Sequence, residues 1–209
     1  MSELEIQYRV LGAISTNVYL LINKTTRETI IVDPADNVDY LLEQCRLRDY
    51  HLVAVLLTHG HADHIFGVPA LREKMDIPVY ACWEEKDLLM DTYANRTKVW
   101  TEPTTLEADI WVHDNDVLHI AGFDITVLHT PGHTAGSCCY YFEKEGVLIS
   151  GDTLFFQSYG RTDLPTGSNS AMQKSLERLF KLPPDVHVFP GHGEFTTIEH
   201  ELKYNPASF

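Results

Sequence analysis

The sequence contains no apolar run approaching the roughly 20 residues that a membrane-spanning helix needs. One of its longest, residues 52–57, has the length of a buried strand, so no membrane partner is expected. Positive charge is scarce: 16 Lys and Arg stand against 30 Asp and Glu, a net charge of −14. Such a surface repels phosphate backbones and argues against a nucleic-acid partner, while leaving room for a locally positive site such as bound metal ions. Cysteine is sparse. The 4 residues Cys45, Cys82, Cys138 and Cys139 form no C-x-x-C and read as reduced, partly buried thiols without a function. The first ten residues, MSELEIQYRV, have early acids and no basic stretch leading into an apolar one. They do not read as a secretory signal, and a cytoplasmic location is expected. There is no low-complexity segment, no repeat at fixed period and no linker long enough to separate units, so one domain over residues 1–209 is the expectation.

What is present is an ordinary globular composition, 44% hydrophobic and 22% charged, in a chain long enough for a sizeable core. Strands are expected at residues 5–10, 18–22 and 29–32. Residues 38–48 carry apolar side chains at 38, 41, 42 and 45, the spacing of a helix. A strand at 51–57 follows, then helices over 68–75 and 84–95 around a short strand at 78–82. Residues 96–116 read as a long loop. Strands at 117–120, 123–129, 138–142 and 147–149 pair as hairpins across Ala121-Gly122 and residues 143–146. A Pro-, Gly- and Ser-rich loop at 163–168, a helix over 170–180 and a last clear strand at 186–189 complete the pattern. Helices in both halves imply an α/β fold with both faces of its sheet system covered.

Histidine stands out. There are 11, and three fall within six residues, in Thr58-His59-Gly60-His61-Ala62-Asp63-His64. The run follows an apolar strand immediately, where a rigid scaffold fixes the ends of a functional loop. In an extended backbone His59 and His61 can aim at one ion, and Asp63 and His64 at a neighbour. Imidazole with carboxylate, and no thiolate, suits zinc first, with iron or manganese as alternatives. Three further pieces follow strands in the same manner: His133 in Pro131-Gly132-His133, Asp152 in Gly151-Asp152-Thr153, and His192 in Pro190-Gly191-His192-Gly193. Each is weak alone. Together the four loops supply His59, His61, Asp63, His64, His133, Asp152 and His192, enough for two ions, with the two oxygens of Asp152 able to bridge.

With those residues in order, the sequence resembles the metallo-β-lactamase superfamily over nearly its whole length. The resemblance implies a four-layer αββα sandwich with metals at one edge of the two sheets. It implies that His59, His61 and His133 hold a first ion, Asp63, His64 and His192 a second, and that Asp152 bridges them. Within the superfamily the chain looks most like the short glyoxalase II-like hydrolases, on Thr16-Asn17-Val18-Tyr19-Leu20, Gly151-Asp152-Thr153-Leu154-Phe155, Gly160-Arg161-Thr162-Asp163 and Asn205-Pro206. It departs in having no match to the C-terminal helical region that grips glutathione in full-length glyoxalase II, and in carrying Arg161 and Asp163 where that enzyme uses a Lys and a Tyr.

The expected reaction is hydrolysis of a small-molecule thioester such as S-lactoylglutathione. Two divalent ions generate a hydroxide at neutral pH that attacks the carbonyl carbon, and a metal steadies the oxyanion. Asp63 orients the nucleophile or handles its proton, and Arg161 is the candidate for a remote substrate carboxylate. A thiolate, with a conjugate-acid pKa of about 8.5, leaves unaided, whereas an amide nitrogen needs a proton; this favours a thioester over a β-lactam. The alternative is a mononuclear iron persulfide dioxygenase, whose matching ligands would be His59, His133 and Asp152. Tyr93, Trp100, Phe155, Phe156 and Tyr159 are candidates for the wall of the site.

Overall fold

The computed structural model describes residues 3–100 and 102–208. Strands β1 (Leu4–Leu11), β2 (Thr16–Asn23), β3 (Glu28–Val32), β4 (His51–Leu56), β5 (Val79–Cys82) and β6 (Ile110–Val112) lie in that order in one sheet. The first three pair antiparallel, and β3 to β6 run parallel. In the second sheet β7 (Val117–Ile120), β8 (Phe123–His129), β9 (Cys138–Phe142) and β10 (Val147–Gly151) pair antiparallel in sequence. A small hairpin of β11 (Leu154–Phe155) and β12 (Ser158–Tyr159) follows. Strand β13 (His187–Pro190) then lies parallel to β10, and β14 (Thr196–Thr197) closes that edge.

The layering follows from side-chain alternation along strands buried on both faces. Along β2, Val18, Leu20 and Ile22 enter one core while Tyr19 and Leu21 enter another. The first core packs helices α1 (Val38–Arg48), α2 (Ala62–Ile65) and α3 (Val68–Arg72) on the outer face of the first sheet through Val38, Leu41, Ile65 and Val68. The second fills the space between the sheets, where Tyr19, Tyr140 and Phe142 are fully buried. Along β9 the alternation repeats: Cys138, Tyr140 and Phe142 face inward, and Cys139 and Tyr141 face outward. There the third core receives Met172, Leu176 and Leu179 of α6 (Asn169–Leu179) and Ile198 of α7 (Ile198–Tyr204). Each large apolar side chain so withdrawn from water contributes roughly 1.5–3 kcal/mol. Three cores between four layers make the αββα sandwich that was expected.

The differences from the sequence reading are local. The helix expected at 84–95 is a 3₁₀ turn at Trp83–Glu85 followed by α4 (Lys86–Met90). It stops because the Asp91 carboxylate accepts from the backbone N–H groups of Tyr93 and Ala94, offering the chain an alternative to the helix. The stretch expected as a loop holds α5 (Thr97–Trp100) and β6, and its Thr101 lies outside the described residues. Strand 186–189 is not the last element. Helix α7 follows it, capped by the Thr197 hydroxyl accepting from His200 N–H. Its buried Glu201 accepts from Gln157 N–H at 2.9 Å, and Asn205 donates to the Ser158 carbonyl at 2.9 Å. Asn205 therefore fixes the β11–β12 hairpin beside the site.

Candidate metal centre

The ends of β3, β4, β8, β10 and β13 and the start of β2 meet at one edge of the sandwich. His59 and His61 follow β4, Asp63 and His64 sit on the short α2, His133 follows β8, Asp152 follows β10, and His192 follows β13. All seven residues expected at the site come together. His59, His61 and His133 form one group of potential ligands, and Asp63, His64 and His192 a second. His59, His64 and Asp152 form a third that links them, with the ligand atoms of each group within 4.8 Å of one another. Register shifts between Ile149 and Gly151 in the β10–β13 pairing, a bulge that re-aims the chain just before Asp152. The glycines of the motifs are steric. At Gly151, φ is +50°, and a Cβ would lie 2.5 Å from the Thr58 side chain; at Gly191 it would lie 2.2 Å from Asp152 Oδ1.

Hydrogen bonds fix which ring nitrogen each histidine turns inward. Thr58 has one hydroxyl hydrogen, and it goes to Asp33 Oδ2 at 2.6 Å. At 3.2 Å, His59 Nδ1 must therefore be the donor to Thr58 Oγ1, which leaves Nε2 bare. The Asp33 carboxylate also takes the Nδ1 hydrogen of His64 at 2.9 Å. His133 Nδ1 donates to the Arg161 carbonyl at 2.8 Å, and His192 Nδ1 faces the Ser15 carbonyl at 3.4 Å. Four rings thus present Nε2 inward, each held by an outer acceptor, as metal-ligating imidazoles are. His61 turns Nδ1 inward instead, 2.8 Å from His133 Nε2. His59 Nε2, His61 Nε2 and Asp152 Oδ1 are buried with no hydrogen-bond partner. Such orphaned polar atoms are costly, and for His59 Nε2 and Asp152 Oδ1 a bound cation would supply the missing contact. The donor set fits divalent metal ions.

Two neighbourhoods differ in charge. His59 is held well below its ordinary value by burial and by the adjoining His64, His133 and His61. Burial and His133 push His61 down to about 3. Both are neutral imidazoles ready to ligate. His64 behaves oppositely. Burial works against its charge, but Asp63, Asp152 and Asp33 outweigh it and hold His64 well above the ordinary value. His192 is raised despite its burial, chiefly by its hydrogen bond to Asp63. Asp63 is pulled far below the usual carboxylate range: burial opposes this, but the charge of His64 and the bonds from His192 and His64 prevail. The second group is a carboxylate-rich pocket that calls for positive charge.

Three supporting residues were not singled out from the sequence. Asp33, at 2% exposure, accepts from Thr58 N–H at 2.8 Å as well as from Thr58 Oγ1 and His64. Its signal was a charged residue directly after the apolar run Ile30-Ile31-Val32. Glu85, at 1% exposure, accepts from Gly60 N–H (2.7 Å), Thr134 Oγ1 (2.9 Å) and Gly136 N–H (2.8 Å), tying the His59–His61 loop to the His133 loop. Nothing set it apart from neighbouring Glu84. Thr16, from the Thr16-Asn17-Val18-Tyr19-Leu20 run, donates to Asp63 Oδ2 at 3.0 Å, and Asn17 and Tyr19 donate to the Pro190 carbonyl at 3.0 and 2.6 Å, pinning the His192 loop.

A cavity of about 560 Å³ opens over the cluster. Trp100, Phe155 and Tyr159 line it, as does Arg96, which sequence reading passed over in the stretch taken for a loop; Tyr93 and Phe156 do not. Arg161 also lines it, but its guanidinium is not the free cation expected. Nε and Nη2 each hold a carboxylate oxygen of Asp163 at 2.7 Å.

Fold and cluster together define a class: an αββα sandwich carrying a histidine- and aspartate-rich metal site at one edge of its two sheets. A family model described as the Metallo-beta-lactamase superfamily matches residues 11–192, and the chain belongs to that superfamily. The hydroxyacylglutathione hydrolase GloC of Haemophilus influenzae is 30% identical over 184 residues, 86% of this chain and 87% of its own. Among solved structures, the BLEG-1 B3 metallo-beta-lactamase superposes with a TM-score of 0.91 at 40% identity, covering 97% of this chain and 98% of that one. TTHA1623 in a di-iron-bound form does so at 0.86 and 34%, covering 96% and 98%. Among the described residues, no helix is long and apolar enough to cross a membrane.

Proposed function

We propose that the protein is a dinuclear metal-dependent thioesterase that hydrolyses a small thioester such as S-lactoylglutathione. The observation that carries this reading is the pair of ligand groups at the site, His59/His61/His133 and Asp63/His64/His192, linked through His59, His64 and Asp152. A mononuclear iron dioxygenase held by His59, His133 and Asp152 would leave Asp63, His64 and His192 without a use. Two divalent ions, when bound, supply Lewis acidity to the carbonyl and a hydroxide at neutral pH. The chain's own residues orient the reaction. Asp63 stays ionised, and its Oδ2, steadied by Thr16, would accept a hydrogen bond from the attacking nucleophile. Trp100, Phe155 and Tyr159 line the cavity beside the ligand cluster. A thiolate leaves without a proton donor, which favours a thioester over a lactam amide, and the likeness to GloC points the same way.

The test is thiol release from S-lactoylglutathione by metal-loaded protein, run beside nitrocefin hydrolysis. Metal-dependent thiol release that exceeds lactam cleavage supports the reading. Rapid nitrocefin cleavage without thiol release overturns it in favour of a lactamase.

A further inference from the structure

The cavity has two arginines, and they are in opposite states. Arg161 is exposed, with 62% of its side-chain surface open, and its guanidinium is spent on Asp163. Arg96 is half-buried, and its guanidinium lies over the Tyr93 ring, 5.8 Å from the centroid. It makes no ion pair among the described residues, although acids outnumber bases 30 to 16 in the chain. Its base is rigid. Arg96 sits at φ 68°, beside the fully buried Asn95, whose side chain donates to the carbonyls of Leu89 at 3.2 Å and Thr104 at 2.9 Å. The Asn95 carbonyl accepts from Ala62 N–H at 2.8 Å, the first residue of α2. Arg96 is therefore anchored to the helix that carries Asp63 and His64. Its charge also reaches His61, adding to the burial and the His133 contact that keep that imidazole neutral.

A recess that adjoins the cavity is different. Of about 150 Å³, it opens past Ile14, Asp63 and Trp100, walled by Ala13, Ala35 and Phe66. It contains no cation, and Asp36 lines it as well. An anion is repelled there, and hydrocarbon is not. The polarity of the cavity therefore sets one orientation for a ligand with an apolar arm and a charged one.

We propose that Arg96 binds the anionic group of the substrate, a carboxylate, and so sets specificity for an acidic thioester. A planar guanidinium without a competing acid matches a carboxylate with two parallel hydrogen bonds. The assignment rests on the thioesterase reading for the word substrate, but binding and turnover test the two separately.

The binding probe is S-hexylglutathione, a carboxylate-bearing thioether that the reaction cannot cleave, titrated calorimetrically into the metal-loaded full chain. Asparagine tolerates a positive φ, so Arg96→Asn removes the charge without backbone strain. It should weaken Kd roughly 10- to 100-fold, the range for a charge-assisted hydrogen bond pair, and Arg96→Lys should fall between. In turnover, the ratio of kcat/KM for S-lactoylglutathione to that for the uncharged S-lactoyl-N-acetylcysteamine should drop by the same factor. An unchanged Kd in Arg96→Asn overturns the assignment, as does a loss in Arg161→Asn with none in Arg96→Asn, or a wild-type protein that does not bind the probe. Probe binding that depends on Arg96, without thiol release by the wild type, keeps the anion site and discards the thioesterase.

Discussion

His59 and His61 lie among other imidazoles, whereas His64 lies among the carboxylates of Asp33, Asp63 and Asp152, at 2.9, 3.3 and 3.5 Å. Burial weighs on both neighbourhoods and with opposite results. In the first it keeps the rings neutral; in the second the carboxylates overcome it and hold a proton on His64. A cation meets His59 and His61 as neutral rings, whereas at the second group it replaces the proton on His64. Adjacent ligand groups of similar residue types are thus prepared differently for the same kind of ion. The outer partners differ too: Glu85 braces the loops of the first group, and Asp33 aims a ring of the second.

Asp152 links the two groups, so Asp152→Ala should abolish thioester turnover and reduce the metal content of the purified protein, while the thermal unfolding transition persists. Wild-type turnover in this variant would contradict a shared centre. His59 belongs to two ligand groups and His192 to one. His59→Ala should therefore cost more activity than His192→Ala under equal metal supply, and the reverse order would break the comparison. Asp33→Asn acts on the two sides unequally, directly on His64 and through Thr58 on His59. It should weaken the second ion's binding by about 10–100-fold, the usual cost of losing an outer partner of a ligating imidazole, and the first ion's by less, both read by competition with a chromophoric chelator.

The smallest effect concerns Glu85. Burial pushes its carboxyl up to about 7, against the pull of its three hydrogen bonds. The folded state therefore favours the protonated form. The stability this adds is complete below the ordinary value of 4.5 and is lost as pH rises through 7. In metal-free protein, Tm should fall between pH 5 and 8 more steeply for the wild type than for Glu85→Gln, and equal slopes would remove this contribution.

How much of this was legible follows from what each residue needs. The seven residues of the centre lie in loops that follow strands or, for Asp63 and His64, on the short α2 just beyond one, and the turns before Asp152 and His192 require glycine at 151 and 191 for lack of space, so strand endings and glycines marked them together. The α/β class was legible in helices placed in both halves of the chain, and the four-layer sandwich came from the resemblance that the metal-ligand motifs carry; β2 and β9, buried on both faces, are its physical basis. Asp33 and Glu85 act through distant partners, 25 residues from Thr58 and 51 from Gly136, and no local pattern records such a bond. Arg96 was hidden in residues 96–116, where β6 has only 3 residues and α5 only 4, too short for a period. For Arg161 the residue was visible but its pairing was not: Asp163, two residues on, holds the arginine.

The most direct test is calorimetric titration of metal-free protein with zinc at neutral pH in two buffers of different ionisation enthalpy. Two ions per chain are predicted, with proton release confined largely to the one that enters at Asp63, His64 and His192, and diminished in His64→Ala. Saturation at one ion, or equal proton release at both steps, would contradict a dinuclear centre with two differently prepared halves.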